Sequence, residues 1–284
     1  MRFNVKDHAK TFISGFRRLE SIRYSDQELT PNNWCEEQPC LQITIASRQV
    51  ILTQPSSTIF VYLLGLLTIG VGLYFLWIRG AELSRLWWGV SLLLWGIGAL
   101  LAGTSYQAFG YEIKCAGRSS CAWTSWWEVV YLMFQYISMS AMLVAFSYSS
   151  TTGSLQTALL VYALVSSLLY IVVTLIGGLI PVKALVTFNL MVRVSTPIFL
   201  FMLVLTGWRY SMFGTSMDLA LLGCWILLLL TSTAYYLYDE FDITTKLWNR
   251  GKGFWFSQND ILHLGLILWM IYIAVVVAHQ IHDL

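Results

Sequence analysis

Seven separated runs of apolar residues, each close to 20 residues long, constrain this chain more than any other feature. They cover roughly residues 57–77, 86–108, 126–147, 156–180, 184–206, 217–238 and 260–278. A helix crosses the hydrocarbon of a bilayer with about 20 mostly apolar residues. In that environment the backbone must satisfy its own hydrogen bonds, so each run is expected as a helix. No period-2 pattern of a β-barrel competes. Only 11% of the residues are charged, against about 25% in a soluble domain. The expected fold is an all-α integral membrane protein, a seven-transmembrane-helix bundle.

Residues 1–56 stand apart as an N-terminal segment preceding a transmembrane domain over 57–284. They contain no long apolar run of the kind a cleaved signal peptide needs, so the tail is expected to be retained. Phe12, Phe16, Leu19 and Ile22 recur at helical spacing among basic residues. They predict a short amphipathic helix, lying either on the membrane surface or on the protein's own loops. Around Ser47-Arg48-Gln49, residues 41–52 alternate apolar and polar, which suggests a β-hairpin. Helix two is rich in Gly96, Gly98, Ala99, Ala102 and Gly103, small residues that let membrane helices approach closely. Pro197 interrupts helix five and is a kink candidate. Tryptophans such as Trp77, Trp88, Trp127 and Trp208 sit near span ends, where indole rings favour the interface.

An odd number of spans puts the termini on opposite sides. Counting Arg48 and the loops, Lys and Arg residues favour the N-terminal side seven to three. The positive-inside rule then predicts a cytoplasmic N-terminus, with the C-terminus outside the cell membrane. Cys35, Cys40, Cys115 and Cys121 fall on that N-terminal side. In a reducing compartment they would be free thiols. Their spacings, Cys-x4-Cys and Cys-x5-Cys, are looser than the usual zinc pattern. Local disulfides among them would invert the predicted orientation. The net charge of +2 singles out no partner, and no nucleic acid is expected. The expected partners are the lipid bilayer and a lipid or amphiphile ligand.

Polar residues at span ends carry the functional reading, because they cost free energy in such surroundings. Gln107, Glu128, Asn259, Asp260 and His263 all fall on the N-terminal side of the membrane. Asn259 and His263 are spaced i, i+4, and Asp260 and His263 i, i+3, so the three share one helix face. If helices two, three and seven are neighbours, all five meet in one leaflet. Ordinary roles compete. Ser257-Gln-Asn-Asp260 and Ser125-Trp-Trp-Glu128 both have the form of a helix capping box. A lone histidine is more often a hydrogen-bonded packing residue than a metal ligand. Arg193, with Asn189 one turn away, is placed about ten residues into helix five, near mid-membrane. There it calls for an acidic partner, with Glu128, Asp260, Asp239 and Glu240 the candidates, or for snorkelling to the interface.

The pattern resembles the ceramidase-like seven-helix superfamily, which includes alkaline ceramidases and adiponectin-receptor-like proteins. The matching segments are Gly103-Thr-Ser-Tyr-Gln107, Trp127-Glu128 and Asn259-Asp-Ile-Leu-His263. Members of that superfamily hold a zinc with histidines in helices two and seven, and its bound water attacks a lipid amide. Here Gln107 and Asn259 stand where two histidines would be, and His263 alone matches as a metal ligand. The resemblance implies either a metal-dependent lipid-amide hydrolase or a non-catalytic descendant that binds a lipid or a partner. In the hydrolase, Glu128, Asp260 and His263 would be catalytic, with Gln107 and Asn259 orienting substrate. The missing histidines favour the descendant, with a polar cavity at the cytoplasmic leaflet. A small transporter or proton-linked carrier using Arg193 and the acids is the third reading.

Overall fold

The computed structural model describes residues 18–22, 29–250 and 255–284. Among them are seven helices long and apolar enough to cross a membrane. They are α1 (Pro55–Ile78), α2 (Leu83–Ala108), α3 (Trp126–Ser150), α4 (Gly153–Leu179), α5 (Phe188–Phe213), α6 (Ser216–Glu240) and α7 (Gln258–Gln280). Helices α1, α2, α3, α5, α6 and α7 pack in succession into a ring that α7 closes against α1. Helix α4 leans on the outside of α3 and leaves most of its apolar surface uncovered, as suits a helix facing lipid.

The α1–α2 pair is joined through glycines. Gly65 and Gly72 on α1 are seven residues apart, as are Gly89, Gly96 and Gly103 on α2. A Cβ on Gly96 would come within 2.8 Å of the Gly65 carbonyl oxygen, and one on Gly72 within 3.0 Å of the Gly89 carbonyl oxygen. A Cβ on Gly103 would collide with Val61. The backbones therefore approach over several turns, which fits small-residue packing in lipid, where there is no hydrophobic drive between helices.

The half of the bundle remote from the N-terminal side is filled with aromatic rings. Trp88 stacks between Phe75 and Trp225, with centroids 5.8 and 5.9 Å away, and Trp95 meets Trp269 at 5.1 Å. The Trp225 indole donates to Thr206 Oγ1 at 3.1 Å, and that of Trp269 to the Cys224 carbonyl at 2.9 Å. Trp88 is thus a core residue rather than an interfacial anchor, because α2 begins at Leu83 and Trp88 lies more than a turn inside it. Trp77, Trp127 and Trp208 are exposed near helix ends. At the same remote end, Arg209 donates to Asp218 (2.8 Å) and to the Ser150 carbonyl (3.0 Å), tying α3, α5 and α6. Asp283 caps the start of α2 through Leu83 N and Ser84 N, both at 2.8 Å.

A small cap covers the N-terminal-side ends of α1–α3. Strands β1 (Cys40–Ile45) and β2 (Arg48–Thr53) pair antiparallel. Their turn falls at Ala46 and Ser47, both with positive φ, which matches the twist of a two-residue hairpin loop. The Thr53 hydroxyl donates to the Gln107 carbonyl. Disulfides join Cys35 to Cys40 and Cys115 to Cys121, so the four expected thiols are paired. Phe12 and Phe16 of the expected amphipathic helix lie outside the described residues, while Leu19 and Ile22 are buried against the bundle core.

The glycine seam makes a clear stability prediction. Gly96→Ala should destabilise the bundle by roughly 1–3 kcal/mol, the usual cost of overpacking, because the Gly65 carbonyl behind it is backbone and cannot turn away. Gly70→Ala, with nothing within 4 Å of the new methyl, should be neutral or slightly stabilising. Equilibrium unfolding in mixed micelles separates the two, and equal behaviour would contradict the seam.

Candidate functional site

The five polar residues grouped by the sequence do not form one site. Glu128 opens α3 and is 1% exposed. Its Oε1 accepts from Lys114 Nζ at 2.9 Å and from the Ser105 hydroxyl at 2.8 Å. Lys114, itself 3% exposed, also lies over the rings of Tyr106 (5.1 Å) and Trp34 (5.8 Å). A charge with so little water must be paired, and this one is paired between the cap and the bundle. Residues Gly103–Ala108 make this possible by taking π-helical form at the end of α2. The Ser105 hydroxyl there lies within hydrogen-bond reach of both Glu128 and Ser125 Oγ. The sequence count treated Lys114 as a free loop charge. Its place six residues beyond the π turn, beside Cys115, gave no signal of burial.

Asp260 is fully buried and completes the capping box of α7. Its Oδ2 accepts from Ser257 N at 2.6 Å and from Ser257 Oγ at 3.0 Å. Gln107 is also buried, and its Oε1 has no hydrogen-bond partner among the described residues. Asn259 lines a cavity of about 210 Å³ near the surface with Gln54, Tyr238, Asp239 and Asp242. His263, one turn further along α7, lines a different and larger space.

That space is a cavity of about 360 Å³ between α1, α2, α3, α5, α6 and α7. Its walls are mostly apolar, with Leu64, Trp95 and Met139 among them, and carry a few polar groups. Of the grouped residues only His263 reaches it. Gln135, Tyr131, Ser195, Ser232 and Tyr235 join it there, and the sequence reasoning passed over all five. His263 Nδ1 and Gln135 Oε1 are buried without a hydrogen-bond partner among the described residues. The wall between α5 and α6 includes Leu200, Leu229 and Tyr236, which are 46%, 40% and 45% exposed on the outer surface. The cavity therefore opens sideways, between two apolar helices.

Arg193 and Asn189 are exposed on the outer face of α5. Among the described residues Arg193 enters none of the ion pairs. Helix α5 begins at Phe188, after a short 3-10 turn at Lys183–Val186, so Arg193 lies roughly 7–8 Å from the helix start at 1.5 Å per residue, not near mid-membrane. From there a guanidinium can snorkel to the interface, and no internal partner is needed.

Among the described residues the donor set does not suit a catalytic zinc. No three His, Cys, Asp or Glu side chains among the described residues gather closely enough to hold a metal, whereas such zinc normally takes three protein ligands. Glu128 is engaged by Lys114, Asp260 by its cap, and the four cap cysteines by each other. No protein-family model, no curated protein and no solved structure matches the chain.

The Lys114–Glu128 pair yields the prediction for this region. Lys114→Met strands a buried carboxylate and should cost roughly 3–5 kcal/mol. The double variant Lys114→Met/Glu128→Leu should recover most of that loss. Thermal unfolding of the three proteins measures both effects, and a single variant costing under about 1 kcal/mol, the range of exposed pairs, would show that the pair is solvated.

Proposed function

We propose that this seven-helix membrane protein binds a lipid-like amphiphile that enters from the bilayer between α5 and α6, without chemical turnover. One observation carries the reading: an apolar cavity in the bundle is walled by residues that also face outward at membrane depth. The exposed lining residues on α5 and α6 are Leu200, Leu229 and Tyr236 with Thr196 and Thr233, an uncharged rim on the outer face of two apolar helices that a hydrocarbon chain can cross without leaving lipid. The volume falls within the usual range for small-molecule sites, about 300–1,000 Å³. This keeps the lipid ligand implied by the resemblance to ceramidase-like proteins and leaves out their metal.

Native mass spectrometry of protein extracted in mild detergent tests the reading. The wild type should retain a lipid-sized adduct. Ser195→Trp, which fills the cavity from α5, should lose it while remaining folded. An adduct of unchanged mass and abundance in Ser195→Trp, or none in the wild type, would count against the proposal.

We further propose that the cap faces an oxidising compartment, so that the N-terminal side is not cytoplasmic. Disulfides persist in such compartments and are rare in the cytosol. The charge bias points the other way: Lys114 and Arg118 are held in ion pairs on that side, but so is Arg209 on the other, which leaves five residues against two, and the proposal rests on the disulfides. Alkylation of intact protein should leave Cys35, Cys40, Cys115 and Cys121 unmodified until a reductant is added. Modification of all four without reductant would restore the cytoplasmic orientation.

A further inference from the structure

We infer that the bundle cavity selects an amphiphile whose head group is uncharged and both donates and accepts hydrogen bonds, a hydroxyl or a primary amide. The inference rests on the reading of the cavity as a lipid site and adds the chemistry of the ligand's polar end.

Charge is the first argument. None of the residues lining the cavity is Asp, Glu, Lys or Arg. An ionic head group entering it would give up water and find no counter-charge, which is the most costly form of burial. Depth is the second. Gln135 is nine residues into α3 and His263 five residues into α7, so they lie roughly 13 Å and 7–8 Å from their helix ends. A head group that reaches Gln135 has sunk below the interface, where a phosphate or a carboxylate would remain.

Unmet hydrogen bonding is the third argument. His263 is 8% exposed, lines the cavity and leaves Nδ1 without a partner among the described residues. Gln135 lines it from α3 and leaves Oε1 in the same condition. Both sit where the bilayer supplies no water, and buried polar groups are otherwise almost always paired. The carboxamide of Gln135 packs close against Gly98: a Cβ there would stand 3.0 Å from Oε1. The amide oxygen needs a donor, and the imidazole, whichever nitrogen carries its proton, supplies one donor and one acceptor. A hydroxyl or a primary amide can supply the donor that Gln135 Oε1 lacks and can pair with His263 Nδ1 in either tautomer, whereas an ester, which only accepts, cannot answer Gln135 Oε1. The ligand's chain then follows Leu200 and Leu229 towards lipid.

Arg193 is the competing attraction, since it lies on α5 near Tyr236 and acts on it electrostatically. It stands outside the lining of the cavity, however, and would hold an anion at the rim rather than within.

Photolabelling of the full chain in phosphatidylcholine nanodiscs decides the matter. Three probes share one sixteen-carbon tail bearing a diazirine and differ in the head: alcohol, carboxylate and amine. The alcohol should label Thr196, Leu200 or Leu229 and be displaced by unlabelled alcohol, with the other two probes labelling at least tenfold less. His263→Leu and Gln135→Leu should each reduce alcohol labelling severalfold, and His263→Gln, which keeps a hydrogen-bonding head in place, should restore it. Equal labelling by all three probes would overturn the head-group inference and leave the lipid cavity standing. So would a carboxylate preference abolished by Arg193→Gln. Labelling of the cavity by none of the probes would overturn both.

Discussion

Hydrocarbon offers a buried polar group no hydrogen-bond partner, so the protein must supply every one. That constraint organises this structure. It makes the seven apolar runs helical, and it sorts the polar side chains within them into those with partners and those without. Asp260 answers the first turn of α7, Arg209 answers Asp218 and Ser150, and Glu128 answers Lys114 and Ser105. Each of these interactions ties elements together. Several buried polar atoms of the described residues are left over, Gln107 Oε1 and the Tyr170 hydroxyl among them, and of these Gln135 Oε1 and His263 Nδ1 belong to residues that line the bundle cavity.

Cap and bundle depend on each other through the α1–α2 seam. With Gly65, Gly72, Gly89 and Gly96 interleaved, α2 is fixed in height and rotation against α1. The π-helical turn at its end then delivers Ser105 to Glu128 and the Gln107 carbonyl to Thr53. Lys114 follows in the chain and closes the ion pair from above, with Trp34 of the N-terminal segment over it. A shift of α2 by one residue would carry Ser105 off Glu128 and leave a carboxylate in an apolar setting. The seam is therefore what allows a buried charge pair to exist at this boundary.

The fold was legible because hydropathy over 20-residue windows reports the strongest term in membrane folding. The glycines of α2 likewise announced close packing, though their partners Gly65 and Gly72 on α1 went unread. The site was much less legible. Sequence gives the depth of a residue and its helix face, but not which helices are neighbours. Gln107, Glu128, Asn259, Asp260 and His263 share a side of the membrane, yet they end in a cap contact, an ion pair, a surface pocket, a capping box and the bundle cavity. Arg193 was misplaced because the break at Lys183–Val186 moves the start of α5 by four residues, more than a full turn. Gln135 gave no warning at all, since one amide in an apolar helix resembles ordinary composition until its neighbours are known.

Rarity in the sequence is therefore a poor guide to function in such a protein. Charged residues within spans draw the eye, but a charge that survives in lipid has usually been paired, and a paired charge is committed to structure. Lys114 and Glu128 illustrate this, since moving either would strand the other. A neutral polar group can remain unpaired at far smaller cost, so it is the kind of group that can be held ready for a ligand. Within this bundle the residues proposed for recognition are thus neutral ones, a histidine that the sequence singles out and a glutamine that it does not, in an apolar wall that opens towards lipid.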